Sequence, residues 1–415
     1  MAIVKPFRGL RPVNNLAEAV AALPYDVVSS LEARKLAAGN AYSFYHVNKP
    51  EIDLDPDIDP YDPAVYEQGA KNLQGLIEKK VLLQDKEPHF YLYRQVMGEH
   101  SQTGLVACVS VQEYNENKIK KHELTRHDKE DDRLKHILAL QSQTGPVFLT
   151  YLATEALDSI FKKLVTRKPA YDFGTEDNIQ HTFWVINTEK TIKEIQKNFS
   201  KINHLYVADG HHRSAAAARA CDVLKKKNHQ HHGKEEYNYF LSVIFPHDQM
   251  QIMAYNRAVK DLNGLTPEKF LEKISDKFLV RDYSDTEGYQ PVVRHDFGMY
   301  LEGMWYRLSA IPTTWKEMDP FEHLDVSILY HNLLKPILGI GDLRKDKRID
   351  FVGGIRGLNG LKARVDSGEM AVAFALFPTL IEDLLMIADA GEIMPPKSTW
   401  FEPKLRDGLV MHMLE

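Results

Sequence analysis

The chain holds very little cysteine. Its 415 residues include only Cys108 and Cys221, too few for the disulfide framework of a small secreted domain. No run reaches the roughly 18 apolar residues of a membrane helix. The stretch "MAIVKPFRGL" lacks the apolar core of a signal peptide. These absences make a soluble, cytoplasmic protein the expectation. Surplus positive charge is missing as well, with 52 Lys and Arg against 58 Asp and Glu and a net charge of −6. A protein built to coat nucleic acid needs a basic face, so neither a nucleic-acid partner nor a membrane is expected. There is no internal repeat, Walker loop, G-x-G-x-x-G, G-x-S-x-G elbow or HExxH, which removes several familiar chemistries.

What is present is an ordinary globular composition, long enough for two or three domains. Ser29 or Ser30 can cap a helix with Glu32 in its first turn, and a second helix is expected over about Ala64 to Lys80. "HFYLYRQVM" and "GLVACVSVQEY" read as a hairpin around "GEHSQT". Buried-type strands follow at "GPVFLTYLA", "TFWVIN" and "YFLSVIFP", interleaved with helices. Hairpins mixed with strand–helix units imply an α+β, or mixed α/β, fold. Two lobes are expected, residues 1–250 and 251–415.

The stretch "LYVADGHHRSAAAARA", residues 205–220, joins a buried strand to a helix. Ala217, Ala220, Cys221 and Leu224 fall on one helical face, so Cys221 is read as a small core residue. Gly210 lets the backbone approach a ligand closely. The free N–H groups of the helix start suit an anion site; the plainer alternative is a capped helix whose His and Arg are solvated. Arg213 can offer a bidentate fork to phosphate, and His211 or His212 further donors. Three bases at a positive dipole end conflict unless an anion balances them. Asp209 is either a helix cap, a Mg²⁺ ligand, or an acceptor of a substrate proton. Zinc fits poorly, because adjacent histidines on a helix diverge.

Two further clusters stand out. In "KKHELTRHDKEDDR" the second half suits a solvated helix face, Glu130, Asp131 and Arg133 pairing along it. The first half places Lys121, His122, Glu123, Thr125 and Arg126 on a loop, where Glu123 is a candidate base. In "MPPKSTWFEPKLRDGL", Lys397, Ser398 and Thr399 could close over an anion, or the segment is a packed C-terminal loop anchored by Trp400 and Phe401.

Together "PYDVVS", "KHELTR…KEDDR", "VADGHHRSAAA", "IDFVGG" and "GEIMPPKSTWFEPKLRDGL" resemble DUF1015, a family of bacterial and archaeal proteins of unknown function, along the whole chain. The "DGHHR" turn also resembles the phosphate-binding turn of the ParB/sulfiredoxin superfamily. That superfamily includes partition proteins, sulfiredoxins and free-serine kinases that make O-phosphoserine. The resemblance implies a nucleotide-binding first lobe and a C-terminal lobe whose "PPKSTWFEPK" loop closes on the site. It places phosphates on Gly210, His212 and Arg213 with Lys121, His122 and Arg126, and makes Glu123, Asp209 and His211 catalytic. ATP or ADP with Mg²⁺ at Asp209 would be the cofactors. A sulfiredoxin needs a turn cysteine where this chain has His211. A partition protein needs a basic helix-turn-helix that this chain lacks. The pattern departs at Asn256, which precedes Arg257 where a His-Arg pair is usual.

The expected function is therefore nucleotide-dependent phosphoryl transfer to a small hydroxyl metabolite, in serine metabolism if L-serine is the acceptor. The alternatives are a nucleotide- or phosphometabolite-binding regulator and a metal-dependent hydrolase. Elemental analysis of purified protein separates the last: stoichiometric bound metal is its expected signature.

Overall fold

The computed structural model describes residues 2–316 and 319–414. The chain divides into two compact units, one running to residue 250 and resuming at 403, the other spanning 251–402. Both mix helices with sheets, so the protein is α+β as its patterning implied.

The first unit is built on a sheet of nine strands. Their order is Ile119–Lys120, Leu205–Asp209, Val147–Tyr151, Tyr239–Pro246, His100–Ser110, Phe90–Met97, Ile179–Ile186, Tyr171–Gly174, with Val4–Lys5 added against His100–Ser110. The expected hairpin forms, but its turn is tighter than "GEHSQT", since pairing runs up to Met97 and His100. Val147–Tyr151 is buried at every residue, which is why it reads as an unbroken apolar run rather than an alternation. Leu205–Asp209 pairs with it antiparallel, and the register slips between Val207 and Asp209. A bulge of this kind bends a strand and re-aims its next side chain. Here that side chain is Asp209.

The helices His127–Leu140 and His211–Lys227 pack against each other. Ala216, Ala217 and Ala220 are buried, and their small side chains permit close approach. Charge completes the contact: Arg219 reaches Glu130 at 3.3 Å and Asp131 at 2.6 Å. The pairing expected along one helix face is thus made between helices, while Arg133 pairs with Asp132 at 2.8 Å. The cause is burial. Glu130 and Asp132 lie inside, and a buried carboxylate must find a partner. The cap resolves to Ser29, whose hydroxyl accepts from the Glu32 N–H while Glu32 accepts from the Ser29 N–H.

The segment from 403 onward, which the pattern ran on with the C-terminal lobe, packs in the first unit. Its backbone finds ladder partners there. Met411 exchanges bonds with Leu10 at 2.8 and 3.0 Å, and Asp407 with Ala22 at 2.9 and 3.1 Å. Leu405, Leu409, Val410 and Met411 are buried with them.

The second unit carries an antiparallel sheet of six strands, ordered Phe278–Tyr283, Met304–Ala310, Asp296–Leu301, Val372–Leu376, Tyr255–Val259, Ile349–Gly353. Gly298 sits in a central strand with the Tyr289 backbone pressed against it. A Cβ there would lie 2.2 Å from the Tyr289 carbonyl oxygen. Gly298→Ala is expected to destabilise the protein by about 1–3 kcal/mol through overpacking. Denaturant titration checks this, and an unchanged midpoint would contradict the packing.

Candidate functional site

The candidate site forms where the bulged strand Leu205–Asp209 meets the helix His211–Lys227. Gly210 occupies the cap position in the left-handed region, at φ 94°, where a residue with a Cβ is strained. A Cβ there would also lie 3.0 Å from Nε of Arg213. Asp209 is therefore one residue too early to cap the helix. Its Oδ1 accepts instead from the Gly210 N–H at 2.9 Å.

The other Asp209 oxygen faces two cations. Lys404 Nζ is 3.3 Å from Oδ2 and Arg213 Nη2 is 3.6 Å away. Burial alone would raise this carboxyl, but Lys404 and Arg213 outweigh it and hold it well below the usual carboxylate range. Asp209 is thus an ionised, compensated carboxylate. A metal at Oδ2 would have to displace both cations. Among the described residues no group of three His, Cys, Asp or Glu is arranged around a common point.

Arg213 does not extend as a fork in front of the turn. It is buried, and one arm donates to the Pro146 carbonyl. Burial opposes its charge, but Asp209 leads the carboxylates that keep it protonated. The histidines behave differently. His122 and His211 are both buried and meet edge to face, ring centres 4.5 Å apart. Burial pushes His122 down to about 4, although Asp209 pulls the other way. Burial, with His122 alongside, also holds His211 well below its ordinary value. Both are neutral at pH 7. The dipole conflict expected at this helix start is therefore relieved at His211, where the interior removes the charge from the imidazole.

These imidazoles keep unused hydrogen-bonding capacity. Among the described residues neither nitrogen of His122, nor Nε2 of His211, meets a partner at bonding geometry, though the Val207 backbone is near enough to act on His122. Nδ1 of His211 lies 3.8 Å from Oε2 of Glu123, a partly exposed residue on the loop 121–126. His212 accepts from the Arg126 N–H at 3.1 Å. Asp209, Gly210, His211, His122 and Glu123 are therefore brought together.

Other expected residues have partners of their own. Lys121 donates to the Tyr114 carbonyl at 3.3 Å and lies 4.3 Å above the Tyr114 ring centre. Arg126 pairs with Asp128 at 2.7 Å on the surface. Lys397, Ser398 and Thr399 belong to the second unit. There the Lys397 carbonyl accepts from Arg257 at 3.0 Å, Ser398 Oγ donates to Pro395 at 2.6 Å, and the Ser398 carbonyl accepts from Thr379 at 2.8 Å.

The pattern gave no role to Lys404 or Asp407. Both stand in a terminal stretch buried throughout. Charged residues inside so apolar a run, "KLRDGLVM", were the available signal. Burial pushes the Asp407 carboxyl up to about 6, against the pull of Arg213 and of its bond from Asn48.

The chain belongs to the family described as "Protein of unknown function (DUF1015)", which matches residues 4–327. No curated protein matches it. Among solved structures it is similar to "Free serine kinase in complex with AMP", at 14% identity and TM-score 0.35, over 73% of this chain and 92% of that one. A conserved hypothetical protein from Pyrococcus furiosus gives 15%, 0.34, 73% and 95%. SbnI with C-terminal truncation from Staphylococcus aureus gives 11%, 0.39, 73% and 85%. Among the described residues no helix is long and apolar enough to cross a membrane.

Asp407 supplies a pH test. A carboxyl whose folded pKa is raised stabilises the fold fully below its unfolded pKa and less as pH rises through its folded one. Asp407 therefore withdraws stability between about pH 4 and pH 6. Asp407→Asn keeps the shape without the charge. Its stability relative to wild type is expected to rise across that window by about 1–3 kcal/mol. Parallel melts at both pH values check it, and a constant difference would refute the assignment.

Proposed function

We propose that this DUF1015 protein is a nucleotide-dependent phosphotransferase acting on a small hydroxyl-bearing metabolite, with free L-serine the first acceptor to test. One observation carries the reading. The buried, neutral imidazoles of His211, at the start of the 17-residue helix His211–Lys227, and of His122 against it carry nitrogens that meet no partner at bonding geometry among the described residues, beside the Glu123 carboxylate. A helix start supplies N–H donors to an oxyanion, and neutral imidazoles can donate to phosphate or accept a proton.

In this reading the terminal phosphate of ATP or ADP lies against Gly210 and the first turn, with His122 and His212 alongside. Lys404 contributes positive charge while Asp209 holds it in place. The acceptor hydroxyl oxygen attacks phosphorus, the bond to the leaving nucleotide oxygen breaks, and the hydroxyl proton passes to the His211–Glu123 pair. Mg²⁺ would travel with the phosphates, which suits a cation that keeps most of its waters. It would not be caged by Asp209, whose Oδ2 is already shared by Lys404 and Arg213. That same engagement favours a second reading, a nucleotide-binding regulator without chemistry.

The test is incubation with L-serine, Mg²⁺ and either ATP or ADP, followed by assay of O-phosphoserine. Product is expected with one nucleotide, and Glu123→Gln should lower kcat by about 10²-fold or more with the melting temperature unchanged. Nucleotide-dependent stabilisation without product, equal in wild type and Glu123→Gln, would establish the regulator instead.

A further inference from the structure

A second feature of the first unit adjoins Arg213. A cleft partly open to solvent is lined by Tyr25, Arg133, Gly145, Arg213, Asp407 and apolar residues including Phe240. Two of these lining residues carry a polar atom with no partner among the described residues: the donor Nε of Arg213 and the acceptor Oδ1 of Asp407. The residues that carry them are only 8% and 3% exposed. A buried polar atom that nothing meets is destabilising.

Both groups are held from behind. Arg213 is anchored at the Pro146 carbonyl and by Asp209. Asp407 is anchored at Oδ2 by the Asn48 amide at 2.9 Å and through its backbone by Ala22. Arg133 adds a second guanidinium, 3.8 Å above the Tyr25 ring centre. Beside Asp407, room depends on a missing side chain: a Cβ on Gly145 would lie 2.9 Å from Oδ1.

We infer that this cleft binds a small zwitterion, an α-amino acid, with its carboxylate on Arg213 and Arg133 and its ammonium on Asp407. A simple anion would meet the Asp407 carboxylate, and a simple amine would meet two guanidinium groups. A molecule carrying both charges on one carbon satisfies the orphan donor and the orphan acceptor together. That the occupant is the acceptor rests on the phosphotransfer reading; that the cleft binds it does not.

Calorimetric titration without nucleotide tests the binding, using L-alanine and L-serine against L-lactate, ethylamine and inorganic phosphate. The amino acids are expected to bind about tenfold or more tighter than any ligand lacking one of the charges. Asp407→Asn should weaken L-alanine about tenfold while L-lactate changes less than about threefold, and that retained lactate binding shows the variant is folded. Gly145→Ala, which leaves every charge in place, should weaken both. Lactate binding as tightly as alanine, alanine affinity unchanged in Asp407→Asn, or no amino-acid binding to the wild type would each overturn the inference. Amino-acid binding with no phosphorylated product would sink the phosphotransfer reading alone. Product formation with KM for serine unchanged in Asp407→Asn would sink the inference alone.

Discussion

A guanidinium taken out of water has to be compensated, and much of the first unit is arranged around that requirement at Arg213. Its helix begins immediately after a bulged strand, so the side chain turns into the interior rather than toward solvent. There it meets the Pro146 carbonyl, the Asp209 carboxylate and the field of Asp407. An unpaired charge in such a place would be strongly destabilising. Asp209, whose position follows from the bulge, in turn needs more positive charge than Arg213 supplies at 3.6 Å, and Lys404 provides it. The terminal segment is thereby tied to the turn through electrostatics as well as through the burial of Leu405, Leu409 and Met411.

Two kinds of base meet at this turn and the interior treats them oppositely. Arginine stays charged because neighbouring carboxylates offset desolvation. The imidazoles of His122 and His211 give up their charge because desolvation is the larger effect on a group whose ordinary pKa is near neutrality. The helix start is left with its own positive dipole end, neutral donors, and one partly exposed carboxylate at Glu123. That combination, with Lys404 and Arg213 beside Asp209, offers an anion N–H donors and positive charge. It is the physical basis of the proposed phosphate recognition.

Local physics was legible along the chain. The strand–turn–helix at 205–227 followed from an apolar run, a glycine and an alanine-rich helical period, all within one short stretch. The Ser29 cap, the hairpin and the inward face bearing Cys221 were likewise readable from spacing. Glu123 and His211 were named from two separate motifs, and the fold brings them within 3.8 Å. Less legible was the direction of a side chain. Arg213 looked outward-facing in sequence, since nothing local records that a bulge and a packed neighbouring helix leave its space inside. The charges of "KEDDR" suggested a solvated face because sequence does not show that a second helix covers it.

The amino-acid sequence by itself determined the α+β class, the strand–turn–helix around Asp209–Arg213 and the small-residue face of the helix behind it. Each depends on residues that are neighbours along the chain, within reach of backbone periodicity and capping. Only the tertiary structure decided which charges survive and who compensates them. Lys404 meets Asp209 across 195 residues of chain, and Asp407 shares a cleft with Arg133 and Arg213. Burial depth and long-range electrostatic partners set protonation, and both exist only after the chain has folded.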